Sequence, residues 1–247
     1  MQKQKTKKIG LIFAMREEQE GLQHYIKDIN RTFSGQREFI EGNLWGIQIV
    51  AVLCGIGKVA AAISSTQLIE RFGVSELILT GVAGAADSTI ERGDVVIADQ
   101  LIQHDMDASP LFPKFEIPLR HVTRFQTESD LCDVLEKAAI QFTGSSKSTR
   151  VHRGLIASGD QFINDANELA RLKQDLPDLL AVEMEGAAIA QVCYDFKIPF
   201  AVIRTISDSA NDNAVHDFQS FIKNIAAPYS IGILKNYFEL NKLSIAF

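Results

Sequence analysis

Apolar and polar positions along the chain fall into two alternating regimes. Nearly continuous apolar runs of strand length occur at residues 8–15 (KIGLIFAM), 76–82 (ELILTGV), 93–105 (GDVVIADQLIQHD) and 151–158, and again in AVEMEG (181–186) and PFAVIR (199–204). Residues 37–54 read as a hairpin, REFIEG and IQIVAVLC flanking the turn-like Gly42-Asn43 and Gly46. Between the runs lie segments of helical composition. One opens at Arg16-Glu17-Glu18, with its acids near the positive end of the dipole. A second, KVAAAISSTQLIERFG, is stopped by Gly73, and others cover 128–142, 165–175 and the stretch after AVEMEG. A last helix is expected to start near Ala214 and to be kinked or interrupted at Pro228. Strand runs without polar alternation require cover on both faces. The pattern therefore predicts an α/β fold with a central mixed β-sheet flanked by α-helices. Residues 83–85 read as a Gly-containing turn after the 76–82 strand, and the apolar, proline-bearing segment 108–120 as an ordered loop. No repeat or linker breaks the pattern. It predicts a basic tail at 1–7 and a single domain at 8–247.

Composition narrows the partners. The chain has 247 residues, 46% of them hydrophobic, and a net charge of −6, which does not favour nucleic-acid binding. The apolar segments are too short to span a membrane, and the basic start lacks the cleavage site of a signal peptide. Cys54, Cys132 and Cys193 are odd in number and widely spaced, which fits small buried hydrophobes in a reducing, cytoplasmic setting. No C-x-x-C or His-x-x-x-His pair marks a metal site. His104-Asp105 reads as polar structure at a strand end.

Candidate chemistry concentrates in residues 181–210. Glu183 and Glu185 flank a methionine where a strand gives way to an Ala-rich helix, and the PFAVIR strand runs into Ser207-Asp208. In α/β proteins ligand chemistry lies at the carboxyl ends of strands, so these acids point to a pocket that binds hydroxyls and moves protons. A plainer reading makes Glu183 and Glu185 acids that complement a helix dipole. Asp208 has a plainer reading as an N-cap, Glu18 as a first-turn surface acid, Phe162 as packing, and Arg204 as one half of an ion pair. Gly55-Ile56-Gly57-Lys58 looks like a phosphate loop but has neither phosphate-loop spacing, and reads rather as a tight strand-to-helix turn. Small residues in Gly81-Val82-Ala83-Gly84 would let a flat ligand lie against the backbone, and fit close helix–strand packing equally well.

The order of motifs is more specific than any one of them. AMREE, GIGKVAAA, TGVAG, QHDMD, ASGDQFI, AVEMEGAAIAQVC and IRTISDSA follow one another between Lys8 and Phe221. Together they resemble the 5′-methylthioadenosine/S-adenosylhomocysteine nucleosidases of the purine nucleoside phosphorylase/hydrolase superfamily. The resemblance implies hydrolysis of the N-glycosidic bond of these two nucleosides without a cofactor; related enzymes also cleave 5′-deoxyadenosine and aminodeoxyfutalosine. It implies Glu18 as the acid that activates water, Asp208 as proton donor to the purine N7, and Glu185 as the acid holding the ribose hydroxyls. Met184 would lie beneath the sugar, supported by Glu183 and Arg204. Phe162 and Ile163 would form the adenine wall, and Ile56 and Phe218 apolar contacts near the sugar and its 5′ substituent. Val82, Ala83 and Gly84 would border the ligand, and Ser207 would tune Asp208. The family forms homodimers in which a loop of the second subunit closes the site, for which Leu111, Phe112 and Pro118 are the candidates.

Three departures stand out. Arg16 opens what is an E-E-E run in the family, Val82 replaces a frequent serine, and the 105–120 loop is shorter and richer in proline. Two other functions fit parts of the pattern: a phosphorylase, in which phosphate replaces water, and a nucleoside-binding module without catalysis. Glu17, Glu18 and Glu20 beside the expected nucleophile position disfavour phosphate. Glycoside cleavage needs one acid protonated and one ionised, so Asp208 is expected to carry the proton and Glu18 the charge.

Overall fold

The structure, a computed structural model, describes residues 7–144, 149–208 and 221–245. Strand β1 (Lys8–Phe13) pairs in parallel with β4 (Ile47–Leu53) on one side and β5 (Glu76–Ala85) on the other. Beyond β4 the sheet continues antiparallel through β3 (Arg37–Leu44) to the edge strand β2 (Ile26–Ser34). On the other side β5 meets two partners, β10 (Phe200–Asp208) in parallel and β9 (Leu179–Glu183) antiparallel. Strand β10 pairs antiparallel with β6 (Val95–Gln103), which pairs in parallel with β8 (Val151–Ser158), and β8 with β9. The five strands β5, β10, β6, β8 and β9 thus close on themselves. A two-residue strand, β7 (Phe125–Gln126), adds to β6.

Alternation along the strands divides the core into two layers. Ile12, Leu79 and Val202 join a cluster with Ala61 and Leu68 of α2 (Lys58–Glu70) and Ile189 and Cys193 of α5 (Gly186–Phe196). Leu11, Phe13, Ile78 and Ile203 join another with Leu135 and Ala139 of α3 (Ser129–Thr143) and Leu234 and Phe238 of α6 (Ala227–Ile245). Successive side chains on a strand point to opposite faces, so one apolar run feeds both layers. Helix α1 (Arg16–Gln23) adds Leu22 to the second layer, and α4 (Ala166–Asp175) contributes no residue to either. The mixed sheet flanked by helices is the fold that the apolar runs predict, and Cys54, Cys132 and Cys193 are all buried and free.

Four local differences have physical causes. Strand β2 was not expected: five consecutive residues, 27–31, are exposed, so the alternation that marks a half-buried strand is missing and only pairing with β3 defines it. Gly42 and Asn43 lie inside β3, and the turn is Trp45-Gly46, both at positive φ (48° and 91°). Residues 83–85 do not turn. They extend β5 because Ala83 and Gly84 pair with Ile206 and Asp208 while Gly84 also pairs with Val182. At Pro228 the expected interruption takes the form of a π-helical turn (Ile222–Ala226) just ahead of it, where Ala227 N–H reaches back to Ile222 O. The expected helix start near Ala214 lies outside the described residues.

Candidate active site

The carboxyl ends of β1, β5, β9 and β10 surround a cavity of about 310 Å³, within the size range of small-molecule sites. The polar floor is built around Arg204, which is 1% exposed in the middle of β10. Its Nη2 donates to Glu183 Oε2 and, at 3.1 Å, to Glu185 Oε2. A guanidinium can lie there because position 81 is glycine: a Cβ would come within 2.3 Å of Arg204 Nη1 and 3.0 Å of Glu18 Oε1. Buried charge of this kind persists only when paired and hydrogen-bonded.

The two acids of the EME motif divide the readings that the sequence left open. Glu183 is the helix acid. It accepts the Ser158 hydroxyl and the backbone N–H groups of Glu185 (3.1 Å) and Gly186 (2.9 and 3.0 Å) at the start of α5. With Arg204 added, its acceptor sites are occupied by protein. Glu185 is the N-cap residue of α5, yet its side chain makes no cap bond. It turns toward α2, where Oε1 accepts Gly57 N–H at 2.9 Å. Burial pushes its carboxyl up to about 7; Arg204 opposes this and Glu183 reinforces it.

Glu18 is the third residue of α1, and its Oε2 accepts the N–H of the N-cap residue Met15 at 3.1 Å, the reach-back half of a capping box. It is also fully buried, so it is no surface acid. Among the described residues Oε1 has no hydrogen-bond partner. Burial pushes the carboxyl up to about 7, against the pull of Arg204 and Met15 N–H and with a push from Glu185. Desolvation thus places Glu18 near neutrality, where a general base is most effective.

Asp208 is aimed by a β-bulge. The register with β5 shifts between Ile206 and Asp208, leaving Ser207 as the extra residue. Ser207 Oγ donates to Asp208 Oδ2 at 2.6 Å and lies 3.3 Å from Ala83 O. Across the cavity the segment after β8 brings Phe162, exposed at the mouth, and Ile163, buried. Gly159 in that segment lies against the buried His104 ring, which a Cβ would meet at 2.3 Å.

Glu18, Glu185 and Asp208 thus line one cavity. So do Ile56, Val82, Ala83 and Gly84, together with Phe162, Ile163, Glu183, Met184, Arg204 and Ser207. Phe218 lies outside the described residues. Leu111, Phe112 and Pro118 do not line this chain's cavity. Sequence reasoning missed Ala14, Met15, Gln161 and Val182 as lining residues. The first three sit inside AMREE and ASGDQFI, motifs that point to Glu18 and to Phe162 and Ile163. Among the described residues no group of His, Cys, Asp and Glu is arranged to hold a metal, and no helix is long and apolar enough to cross a membrane.

Residues 8–239 match the Phosphorylase superfamily. The chain is 38% identical over 215 residues to the 5′-methylthioadenosine/S-adenosylhomocysteine nucleosidase of Shewanella denitrificans, covering 87% of this chain and 92% of that protein. It is similar in structure to the Neisseria meningitidis nucleosidase in complex with methylthio-immucillin-A (TM-score 0.88, 34% identity, 94% of this chain and 98% of that one). It is also similar to an aspartate-to-asparagine variant of the Helicobacter pylori nucleosidase with 5′-methylthioadenosine in its active site (TM-score 0.86, 32% identity, 94% and 98%).

Proposed function

Because the chain belongs to the 5′-methylthioadenosine/S-adenosylhomocysteine nucleosidase family of the Phosphorylase superfamily, we propose that it hydrolyses the N-glycosidic bond of these two nucleosides, releasing adenine and the 5′-thio-substituted ribose. The observation that carries this reading is the charge of the cavity. Among the described lining residues are four carboxyl groups, Glu18, Glu183, Glu185 and Asp208, and one cation, Arg204, already engaged by Glu183 and Glu185. With its one described lining cation committed, such a site offers a phosphate dianion no counter-charge and suits neutral water as nucleophile.

Adenine departs as an anion unless it is protonated, while the ribose carbon becomes cationic. Asp208, with Oδ2 held by Ser207, delivers a proton to N7. Glu185, fixed by Gly57 N–H and Arg204, accepts the ribose hydroxyls and stabilises the oxocarbenium ion with its charge. Glu18 takes a proton from the attacking water through Oε1. Phe162 and Ile163 wall the purine, Met184 lies beneath the sugar, and Ile56 borders the 5′ group. Val82, Ala83 and Gly84 form the surface behind the ligand. The reading treats residues 8–247 as one domain and places it in the cytoplasm, where three free cysteines remain reduced.

The test is adenine release from methylthioadenosine by phosphate-depleted enzyme. Unchanged release with a free thioribose product is expected. Release that depends on added phosphate, with a sugar 1-phosphate in the mass spectrum, would reject hydrolysis in favour of phosphorolysis, and no release from an intact, adenine-binding protein would favour a non-catalytic module. The active unit in this reading is a homodimer. Leu111 is 84% exposed, and Val59 and Ile63 of α2 add exposed apolar surface that a partner would cover. Light scattering at micromolar concentration should give the dimer mass; a monomer would remove this part.

A further inference from the structure

Gly55-Ile56-Gly57-Lys58 has the look of a phosphate loop and a different use. Helix α2 begins at Lys58, and its N-cap, Gly57, has no side chain to cap it. Two carboxylates from distant parts of the chain do so instead. Asp160 Oδ1 accepts Lys58 N–H at 2.7 Å, and Glu185 Oε1 accepts Gly57 N–H at 2.9 Å. Their charge opposes the positive end of the helix dipole. Gly57 has φ 97°, and a Cβ there would come within 3.0 Å of Asp160 Oδ1, so the approach requires glycine.

The arrangement closes into a ring. Lys58 Nζ pairs with Asp105 Oδ1 at 2.6 Å and also donates to Gln103 Oε1 at 3.1 Å. Asp105 Oδ2 accepts the N–H of Asp160 at 2.9 Å. Asp160 thus receives Asp105 on its backbone and returns its carboxylate to the backbone of Lys58. The side chains of Lys58 and Asp105 are only 16% and 23% exposed. The ring is therefore better shielded than an ordinary surface pair. It touches both halves of the site. Gly57 N–H holds Glu185 on the ribose side, and Asp160 directly precedes the Gln161–Ile163 segment on the purine side. That segment has no helix or strand of its own.

We propose that Lys58, Asp105 and Asp160 are positioning residues that set the spacing between the ribose acid Glu185 and the purine wall Phe162–Ile163. This rests on the nucleosidase reading above. None of the three lines the cavity. They act by holding a backbone N–H and a loop at one separation, so their loss falls on ground-state binding of the nucleoside rather than on proton transfer by Glu18 and Asp208.

Adenine release by the wild-type protein is measured first, and its absence defeats the nucleosidase reading rather than this inference. With an active wild type, Lys58→Met and Asp160→Ala should each raise KM for methylthioadenosine roughly tenfold, the scale of one charge-assisted hydrogen bond, with kcat changing much less. The dissociation constant for adenine should rise in parallel. Asp160→Asn, whose amide oxygen still accepts Lys58 N–H, and Lys58→Arg, which still pairs with Asp105, should recover most of the affinity. In the double variant the two effects should fall short of additive, because either change opens the same ring. Folded variants with wild-type KM and adenine affinity, or with kcat lowered at constant KM, would overturn the proposal. If Asp160→Ala fails to fold, Lys58→Met, which leaves the backbone bond to Asp160 intact, carries the same test alone.

Discussion

Two buried carboxylates, Asp94 at the start of β6 and Glu18 at the start of α1, show how the same group is treated in structural and working regions. Asp94 is 1% exposed and accepts N–H groups of Arg150 (2.8 Å) and Glu91 (3.1 Å) as well as His152 Nε2 (2.9 Å). Burial pushes its carboxyl up, but these bonds outweigh burial and hold it below the ordinary range. Glu18 is likewise shielded from solvent but lies deeper in the protein; its Oε2 accepts Met15 N–H, while Oε1 meets no protein donor among the described residues. Burial wins there, and the carboxyl rises to about 7. A structural acid is saturated by donors. An acid that must act on something else keeps an acceptor open and loses stability for it.

The largest break in this comparison should come from the working side. Asp208→Asn keeps the size of the side chain and removes the acid, so turnover should fall by roughly 10²–10⁴-fold with the circular-dichroism spectrum unchanged. Near-parental turnover would remove Asp208 as proton donor. Glu18→Gln should cost turnover on the same scale with KM little changed, because the amide cannot accept the proton from water.

The pH profile sharpens the same point. A base with a pKa of about 7 should make kcat/KM rise with pH through that value as Glu18 ionises. A rate that is flat from pH 5.5 to 8 would contradict that assignment.

Stability should respond in opposite directions in the two regions. Asp94→Asn leaves donors unmatched and should destabilise by roughly 2 kcal/mol at pH 7. Because the folded pKa of Asp94 is lowered, its contribution is present above the unfolded pKa and lost as pH falls through the folded one. The raised pKa of Glu18 has the reverse sign: its contribution is full below the unfolded value near 4.5 and lost as pH rises through about 7. Glu18→Gln should therefore stabilise the unliganded protein at pH 8.5, by about 1 kcal/mol. Thermal melts of both variants at pH 5 and 8.5 check the pair, and a Glu18→Gln variant less stable than its parent at pH 8.5 would dissolve the contrast.

Much of this was legible in the chain and some was not. Strands with continuous apolar runs, such as ELILTGV and PFAVIR, announce themselves because burial on both faces leaves no polar alternation to confuse them. Strand β2 did not, since exposure on both faces permits almost any residue. In the site, the acids were visible as types, but their division of labour was not. Glu183 and Glu185 are two residues apart and chemically identical. Only the positions of Ser158, Gly57 and Arg204 around them make one a structural cap and leave the other for ligand.

The sequence by itself determined the two-layered core, the acids and glycines at strand ends, and the motif order that identifies the family, because periodicity and residue type act over a few neighbouring positions. The tertiary structure alone decided that β5 runs on past Gly84, that a bulge at Ser207 aims Asp208, and that Glu18 titrates near neutrality. It also decided that α2 is capped by carboxylates 102 and 128 residues away. Each of these depends on a partner brought close by the closure of the sheet, and on the desolvation that closure imposes, neither of which is written in the local run of residues.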